Sequence, residues 1–372
     1  MQRFAGIAFF GVLLALQRPA VSPAIPLFAR QYGVTCAKCH SVIPHLNEFG
    51  AAFLAYGERF PGISSGPVVP FSAKANLLDS SENQGSGPNG AGLPKAIVDE
   101  IELFSSATLG SRANYFIEQY VVDGGEPGLL RDAWIGERLN PWQARIPLFL
   151  QAGQFTLPLP VDPETFRDSY QDYTPYVQTV GGNPFDFFEP KLGMRLSIGD
   201  PLRGFSGQVF AGPGYDQQSG LAPTGVDTQF YAQDAMGPFT LSAFHYDGLR
   251  PIADGPFDRF ERTGFGFTYG QWSRFSSETV LIEGWDSDCA TTAFAGCQSS
   301  GGFEQLRYAL GRRLFAEARY EGTSDGIGGF ARDGVLLLGY GPTENTRLTI
   351  EDVISHSPQT SNTMNAQATI AF

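Results

Sequence analysis

Over most of the chain, apolar and polar residues alternate with a period of two. Leu192, Met194, Leu196 and Ile198 are separated by Gly193, Arg195 and Ser197, and Phe265, Phe267 and Tyr269 by Gly266 and Thr268. Ala316, Ala318 and Tyr320 flank Glu317 and Arg319, and the chain closes with Met364, Ala366, Ala368, Ile370 and Phe372 around Asn365, Gln367 and Thr369. In a strand, such alternation sends the two sets of side chains to opposite faces. Segments of about 8–13 residues, bounded by Gly, Pro, Asn and Asp clusters, therefore predict strands joined by turns and loops.

About sixteen strands are expected over residues 69–372. They start near Phe71, Ala96, Arg112, Gly128, Ala144, Lys191, Gly204, Asp227, Phe239, Phe260, Arg274, Gly301, Leu314, Gly334, Thr346 and Thr363. Connections at 110–111, 140–143, 199–203, 236–238, 270–273, 311–313 and 341–345 are short, and most of those between them are long. A transmembrane barrel with brief periplasmic turns and larger outer loops has this arrangement, and an even count leaves both termini on the turn side. A soluble β-sandwich or barrel is the competing fold. The 31 Phe, 45 Gly and 17% charged residues favour the membrane form, as does a terminal Phe, the usual ending of a bacterial outer-membrane barrel.

The first part of the chain follows other rules. After Gln2 and Arg3, residues 4–16 form an uncharged apolar run, and Ser22-Pro23-Ala24 places small residues where a signal peptidase reads. A signal peptide over 1–24 is expected, since the run is shorter than the roughly 20 residues a membrane anchor needs. Farther on, Leu46, Phe49, Phe53 and Leu54 recur at helical spacing, and Gly57 and Pro61-Gly62 end the helix they predict.

Between these segments stands Cys36-Ala37-Lys38-Cys39-His40, the attachment pattern of c-type haem. Cys36 and Cys39 would form the two thioethers and His40 would supply the proximal iron ligand. A zinc half-site needs further Cys or His nearby, and a redox dithiol needs a βαβ context; neither is present. The apolar stripe of the following helix would pack on the porphyrin, but this segment is too short to enclose a haem unaided, so the barrel must help to cover it. Cys289 and Cys297 remain, with seven residues between them in a Ser-, Thr-, Ala- and Gly-rich stretch, and are expected to form a local disulfide. The distal haem ligand is unassigned. His45 is too close to His40 to reach the opposite face of one iron, Met194 and Met364 share the lipid face, and His245, His356 or Met236 would serve only if turned inward.

The third long connection, residues 157–190, is the longest. It carries Asp162, Glu164, Asp168, Asp172, Asp186 and Glu189, together with Phe166, Tyr170, Tyr173, Tyr176, Phe185, Phe187 and Phe188. Many porins fold their third outer loop into the lumen; the same course here would let its carboxylates attract a cation such as ferrous iron and its aromatics shield the haem, while an acidic surface loop with no specific role is the competing reading. The net charge of −13, or −15 once Arg3 and Arg18 leave with the signal peptide, argues against nucleic acid as a partner. No nucleophile–base pair, phosphate loop or paired-carboxylate signature stands out.

Phe28-Ala29-Arg30-Gln31-Tyr32-Gly33-Val34-Thr35 leading into the Cys36–His40 motif, followed by Pro44-His45-Leu46-Asn47-Glu48-Phe49-Gly50, resembles the N-terminus of the fused monohaem cytochrome–porins. The detailed match covers about 25 residues; the barrel matches as architecture alone. The resemblance implies an outer-membrane protein in which a small cytochrome domain plugs the barrel. It also implies an extracellular iron-oxidase type of activity, carried by Cys36, Cys39 and His40 and one haem c. No iron-binding residue carries over.

The expected organisation is all-β. A signal peptide (1–24) and a short α-helical monohaem cytochrome c segment (25–68) precede an antiparallel transmembrane barrel (69–372) in the outer membrane of a Gram-negative bacterium. The expected function is one-electron transfer between an extracellular reductant, with ferrous iron as the candidate, and a periplasmic carrier such as a soluble cytochrome. A diffusion porin with a structural or regulatory haem plug, and a soluble periplasmic haem protein, are the alternatives.

Overall fold

The computed structural model describes residues 27–60, 71–85, 93–142, 144–181, 183, 185–214, 225–251, 257–288 and 296–372. The signal peptide, the helix stop at Pro61-Gly62, the boundary between residues 68 and 69, and Cys289 lie outside the described residues. In the N-terminal segment, helices α1 (Leu27–Tyr32) and α2 (Glu48–Ala55) flank a small antiparallel pair, β1 (His40–Val42) and β2 (His45–Leu46). Leu46 thus belongs to a strand, and the helix expected from it begins two residues later, capped by Asn47, whose Oδ1 accepts from Gly50 N at 3.0 Å.

The remaining strands form one sheet closed on itself. They are β3 (Phe71–Gly85), β4 (Leu93–Leu109), β5 (Ala113–Asp123), β6 (Glu126–Pro127), β7 (Leu130–Arg138), β8 (Leu148–Phe155), β9 (Lys191–Gly199), β10 (Gly204–Gly212) and β11 (Asp227–Met236). Then follow β12 (Phe239–Pro251), β13 (Phe257–Tyr269), β14 (Phe275–Asp286), β15 (Cys297–Ala309), β16 (Leu314–Ser324), β17 (Phe330–Tyr340), β18 (Thr346–Ser357) and β19 (Gln359–Ala371). β6 and β7 both pair with β5 as one interrupted stave, so the described residues form a barrel of sixteen staves. β19 closes it against β3, where Ala73 and Phe372 exchange backbone hydrogen bonds of 2.7 and 2.8 Å.

Phe71, Lys191, Gly204, Asp227, Phe239, Leu314 and Thr346 begin strands where the alternation predicts, and the other starts fall within a few residues. Connection lengths depart from the expected alternation twice on the long-loop side. Pro358 alone joins β18 to β19, and the bend at Gly124-Gly125 is tight because both glycines take positive φ, +58° and +82°.

The two faces are inverted relative to a water-soluble barrel. Phe265, Leu281, Leu336, Leu338 and Ile350 are exposed on the outside, while Glu278, Gln305, Arg307, Glu317, Arg319 and Glu351 are buried inside. Phe205, Tyr269, Phe275, Tyr308 and Tyr340 add exposed aromatics near the short-turn end, and Phe257, Trp285 and Phe330 do so toward the other.

The described residues of the third loop (156–181, 183 and 185–190) fold into the lumen. Arg307 donates to Asp168 at 2.5 Å with Arg347 3.7 Å away, Arg319 donates to Ser169 Oγ at 2.6 Å, and Glu351 accepts from Tyr170 N at 2.8 Å and Gln171 N at 3.1 Å. Asn183 donates to Asp258 at 2.8 Å and to Asp286 at 3.1 Å. Aromatic packing complements this polar seam: Tyr173 stacks on Phe303 with centroids 4.3 Å apart, and Phe185 lies 4.6 Å from Tyr246 and 4.7 Å from Phe260. The loop therefore occupies the lumen against β12–β18 and leaves open space along β3–β10.

Candidate functional site

The N-terminal segment sits across the short-turn mouth of the barrel. Arg59 donates to Gly110 O at 2.9 Å and Ala113 O at 3.1 Å, and Asn114 Nδ2 donates to Gly57 O at 2.7 Å. Gln31 donates to Ser106 O, and Tyr56 OH to Asp200 at 3.2 Å. Across the mouth, Val42 packs with Phe315 and Leu337. Deeper in, Leu46 N donates to Thr165 O at 3.3 Å, and His45 Nδ1 lies 3.4 Å from Asp168, so the segment also rests on the third loop. Its small core is aromatic: Phe28 meets Phe53 at 4.8 Å and stacks toward Phe116 of the wall at 6.3 Å.

Within this plug, residues Cys36–Lys38 form a 3-10 turn closed by Cys39 N donating to Cys36 O at 3.0 Å. Asn47 ties the turn to α2: its N donates to Cys39 O at 2.8 Å and its Nδ2 to Lys38 O at 3.2 Å. Gly50 is required by the same contact, because a Cβ there would stand 2.2 Å from Cys39 O. Cys36 and Cys39 are free thiols, pushed up from the usual thiol range by burial. Burial also lowers His40 to about 4, against the opposing effect of Pro44 O, so the imidazole is neutral. Its Nδ1 contacts Pro44 O at 2.9 Å. When Nδ1 carries the proton that this carbonyl accepts, Nε2 keeps its lone pair, the arrangement that orients a metal-binding imidazole.

Cys36, Cys39 and His40 line a cavity of about 1100 Å³ that runs past Phe116, Trp134 and Phe155 to Asp99, Glu100 and Asp123. Two free thiols, a neutral imidazole held by its other nitrogen, and an adjacent cavity whose walls include Phe28, Phe53 and Phe116 fit a covalently attached haem. Such a group would supply one-electron redox chemistry there. The chain positions His40, and Phe53 and Leu54 of α2 give the cavity an apolar flank.

Several sequence expectations change here. His245 sits between the inward Phe244 and Tyr246 and so points outward, where it contacts Thr263 at 2.9 Å; Met236 and His356 are exposed. None of the three reaches the lumen, so none is a distal ligand. Met194 and Met364 face outward as the alternation predicts. His45 is held at Asp168. Of the loop aromatics, Phe166 packs on His45 at 5.4 Å, but Tyr173, Tyr176, Phe185 and Phe187 pack on the far wall and do not shield the cavity beside Cys36. Cys297 is disulfide-bonded, and its expected partner Cys289 is outside the described residues.

One grouping had no signal in the sequence. Glu118 of β5, Asp132 of β7 and Glu164 of the third loop bring carboxylate oxygens within 4.8 Å of one another in the open lumen. Burial, together with Asp132 and Glu164, raises Glu58 of the plug well above the usual carboxylate range, and burial with Glu164 raises Asp162 to about 6. These residues come from separate elements, and strand alternation reveals only that two of them face inward.

No protein-family model and no curated protein matches the sequence. Solved structures match the fold. An anion-selective porin from Comamonas acidovorans superposes with a TM-score of 0.62 at 10% identity, over 81% of this chain and 98% of that one. OmpF of Salmonella typhi, in complex with daunomycin, gives 0.58 at 14% identity over 81% and 97%. The outer-membrane channel DcaP of Acinetobacter baumannii gives 0.53 at 14% identity over 81% and 95%.

Proposed function

We propose that the chain is an outer-membrane channel of porin type, narrowed by its own third loop and plugged by its N-terminal segment, which carries one c-type haem. The observation that carries this reading is the plug: it is hydrogen-bonded to the barrel wall around the short-turn mouth and rests on the inward loop. The apolar outer face, aromatic belts and polar lumen support a bilayer location, as does the fold shared with porins. The same outer face weighs against a soluble periplasmic haem protein.

Conductance in planar bilayers tests the reading. The full chain is expected to give small steps, and a chain lacking residues 27–60 steps several-fold larger; equal steps would remove the plug from the proposal. The bilayer location makes its own prediction. Leu281→Arg, on the outer face, is expected to cost about 2–4 kcal/mol if it lies near the bilayer midplane, seen as a lower urea midpoint in lipid vesicles.

An electron conduit is the second reading, favoured by the His40–Pro44 contact and the cavity beside both thiols. In it the haem segment exchanges electrons between an extracellular reductant, with ferrous iron as the candidate, and a periplasmic carrier. Visible spectra of outer membranes before and after adding ferrous iron separate the two readings. Rapid appearance of reduced c-type bands supports the conduit; bands that respond to dithionite alone leave the plugged channel.

A further inference from the structure

Glu118 and Asp132 are direct cross-strand partners on β5 and β7, both turned into the lumen and each 7% exposed. Like charges directly opposite in a sheet destabilise it, and Glu164 of the third loop adds a third carboxylate within 4.8 Å. The nearby cations do not balance the group. Arg131 binds Oε1 of Glu164 at 2.9 Å through both Nε and Nη2, and Arg195 is turned toward Gln151. Independently of the cluster's composition, Oδ1 of Asp132 is buried with no hydrogen-bond partner among the described residues, although a protein interior normally satisfies such an atom. Oε2 of Glu58, on the plug, is likewise unpartnered, and Glu58 lines the same cavity as the three carboxylates.

We propose that Glu118, Asp132 and Glu164 are the protein ligands of one hard divalent cation held in the lumen, with Glu58 closing the site from the plug side. An all-oxygen carboxylate set selects cations of the Mg²⁺, Ca²⁺ and Mn²⁺ kind over softer metals, and the open cavity beside it admits the waters such ions retain. The cation would neutralise the repulsion and join three elements at one point: barrel wall, third loop and plug. The site does not depend on whether the plug's haem carries electrons.

Mn²⁺ is the probe. The full chain, purified in detergent and stripped with chelator, is titrated with Mn²⁺ while free Mn²⁺ is followed by electron paramagnetic resonance. One tightly bound Mn²⁺ per chain is expected. Asp132→Asn and Glu118→Gln should each weaken binding at least about ten-fold, a loss typical even of groups one step removed from a metal. Asp247→Asn, on the outward face, should not. Because each lumen substitution relieves repulsion, both variants are expected to fold, checked by heat-modifiable gel mobility. Absence of a tight Mn²⁺ in the unmutated chain overturns the site without recourse to any variant. So does retention of tight binding in both lumen variants, or equal weakening by Asp247→Asn.

Discussion

A chain in which Cys36 and Cys39 are both serine is expected to contain no covalent haem, a complete loss read as absence of haem staining on a denaturing gel. A hydroxyl forms no thioether, so any haem still held through His40 would be extracted by acidified solvent. The barrel should persist, because the contacts that seat the plug belong to Gln31, Tyr56, Gly57 and Arg59 and involve neither thiol. Heat-modifiable mobility would verify this. His40→Ala makes the complementary case: covalent staining remains and the visible spectrum changes. Staining that survives in the double serine variant would mean that haem is attached elsewhere or that the band is not haem c.

Asp168→Ala should release the third loop. The Asp168 side chain has no solvent exposure and sits among Arg307, Arg347 and His45. Removing one partner of a buried ion pair typically costs about 3–5 kcal/mol, because the remaining charges stay buried without compensation. Backbone acceptors offset part of that here, since Arg347 also donates to Asp168 O at 3.1 Å. The measurable result is protease cleavage within residues 157–190 under conditions that leave the parent chain intact, together with noisier conductance. An uncleaved variant would show that the aromatic packing of Tyr173 and Phe185 holds the loop by itself.

The pH dependence of this anchor follows in sign. Burial pushes the Asp168 carboxyl up, but Arg307, His45 and Arg347 outweigh it and hold the group below the usual carboxylate range. A lowered native value contributes stability that is fully present above the unfolded value of about 3.9 and fades only as pH falls below it. Burial lowers His45 as well, so its neutral form is favoured, and its contribution declines as pH drops below about 6.5. The loop should therefore loosen first at its contact with the plug.

The barrel was legible because alternation is a direct record of which face each side chain takes. Lys191 to Ile198 and Met364 to Phe372 could be assigned to strands, and to an outer face, without any partner in view. The inward course of the third loop was suggested by analogy with porins, and its composition fitted an acidic surface loop equally well. Its anchors were not legible: Arg307, Arg319, Arg347 and Glu351 lie more than a hundred residues away, and alternation marks them as lumen residues and nothing more. The Cys36–His40 motif pointed to a candidate chemistry through local spacing. Pro44, Asn47 and Gly50 acquire their parts only when the turn folds back on α2. The Glu118, Asp132 and Glu164 cluster was illegible for a stronger reason, since it depends on strand register and loop path together.

Because most of the third loop's anchors lie on β12–β18, with Arg131 of β7 its main hold on the other side, the passage left beside it is eccentric. Whatever crosses the barrel slides along the arc formed by β3–β10, whose lining includes Glu100, Glu102, Glu118 and Asp132. Permeation traits would then be sectoral. Charge reversals on that arc should retune ion preference, while equivalent changes on the opposite arc would be felt mainly as loosened architecture. Selectivity and sturdiness would thus be governed by different arcs of one circumference, and each could drift without dragging the other along.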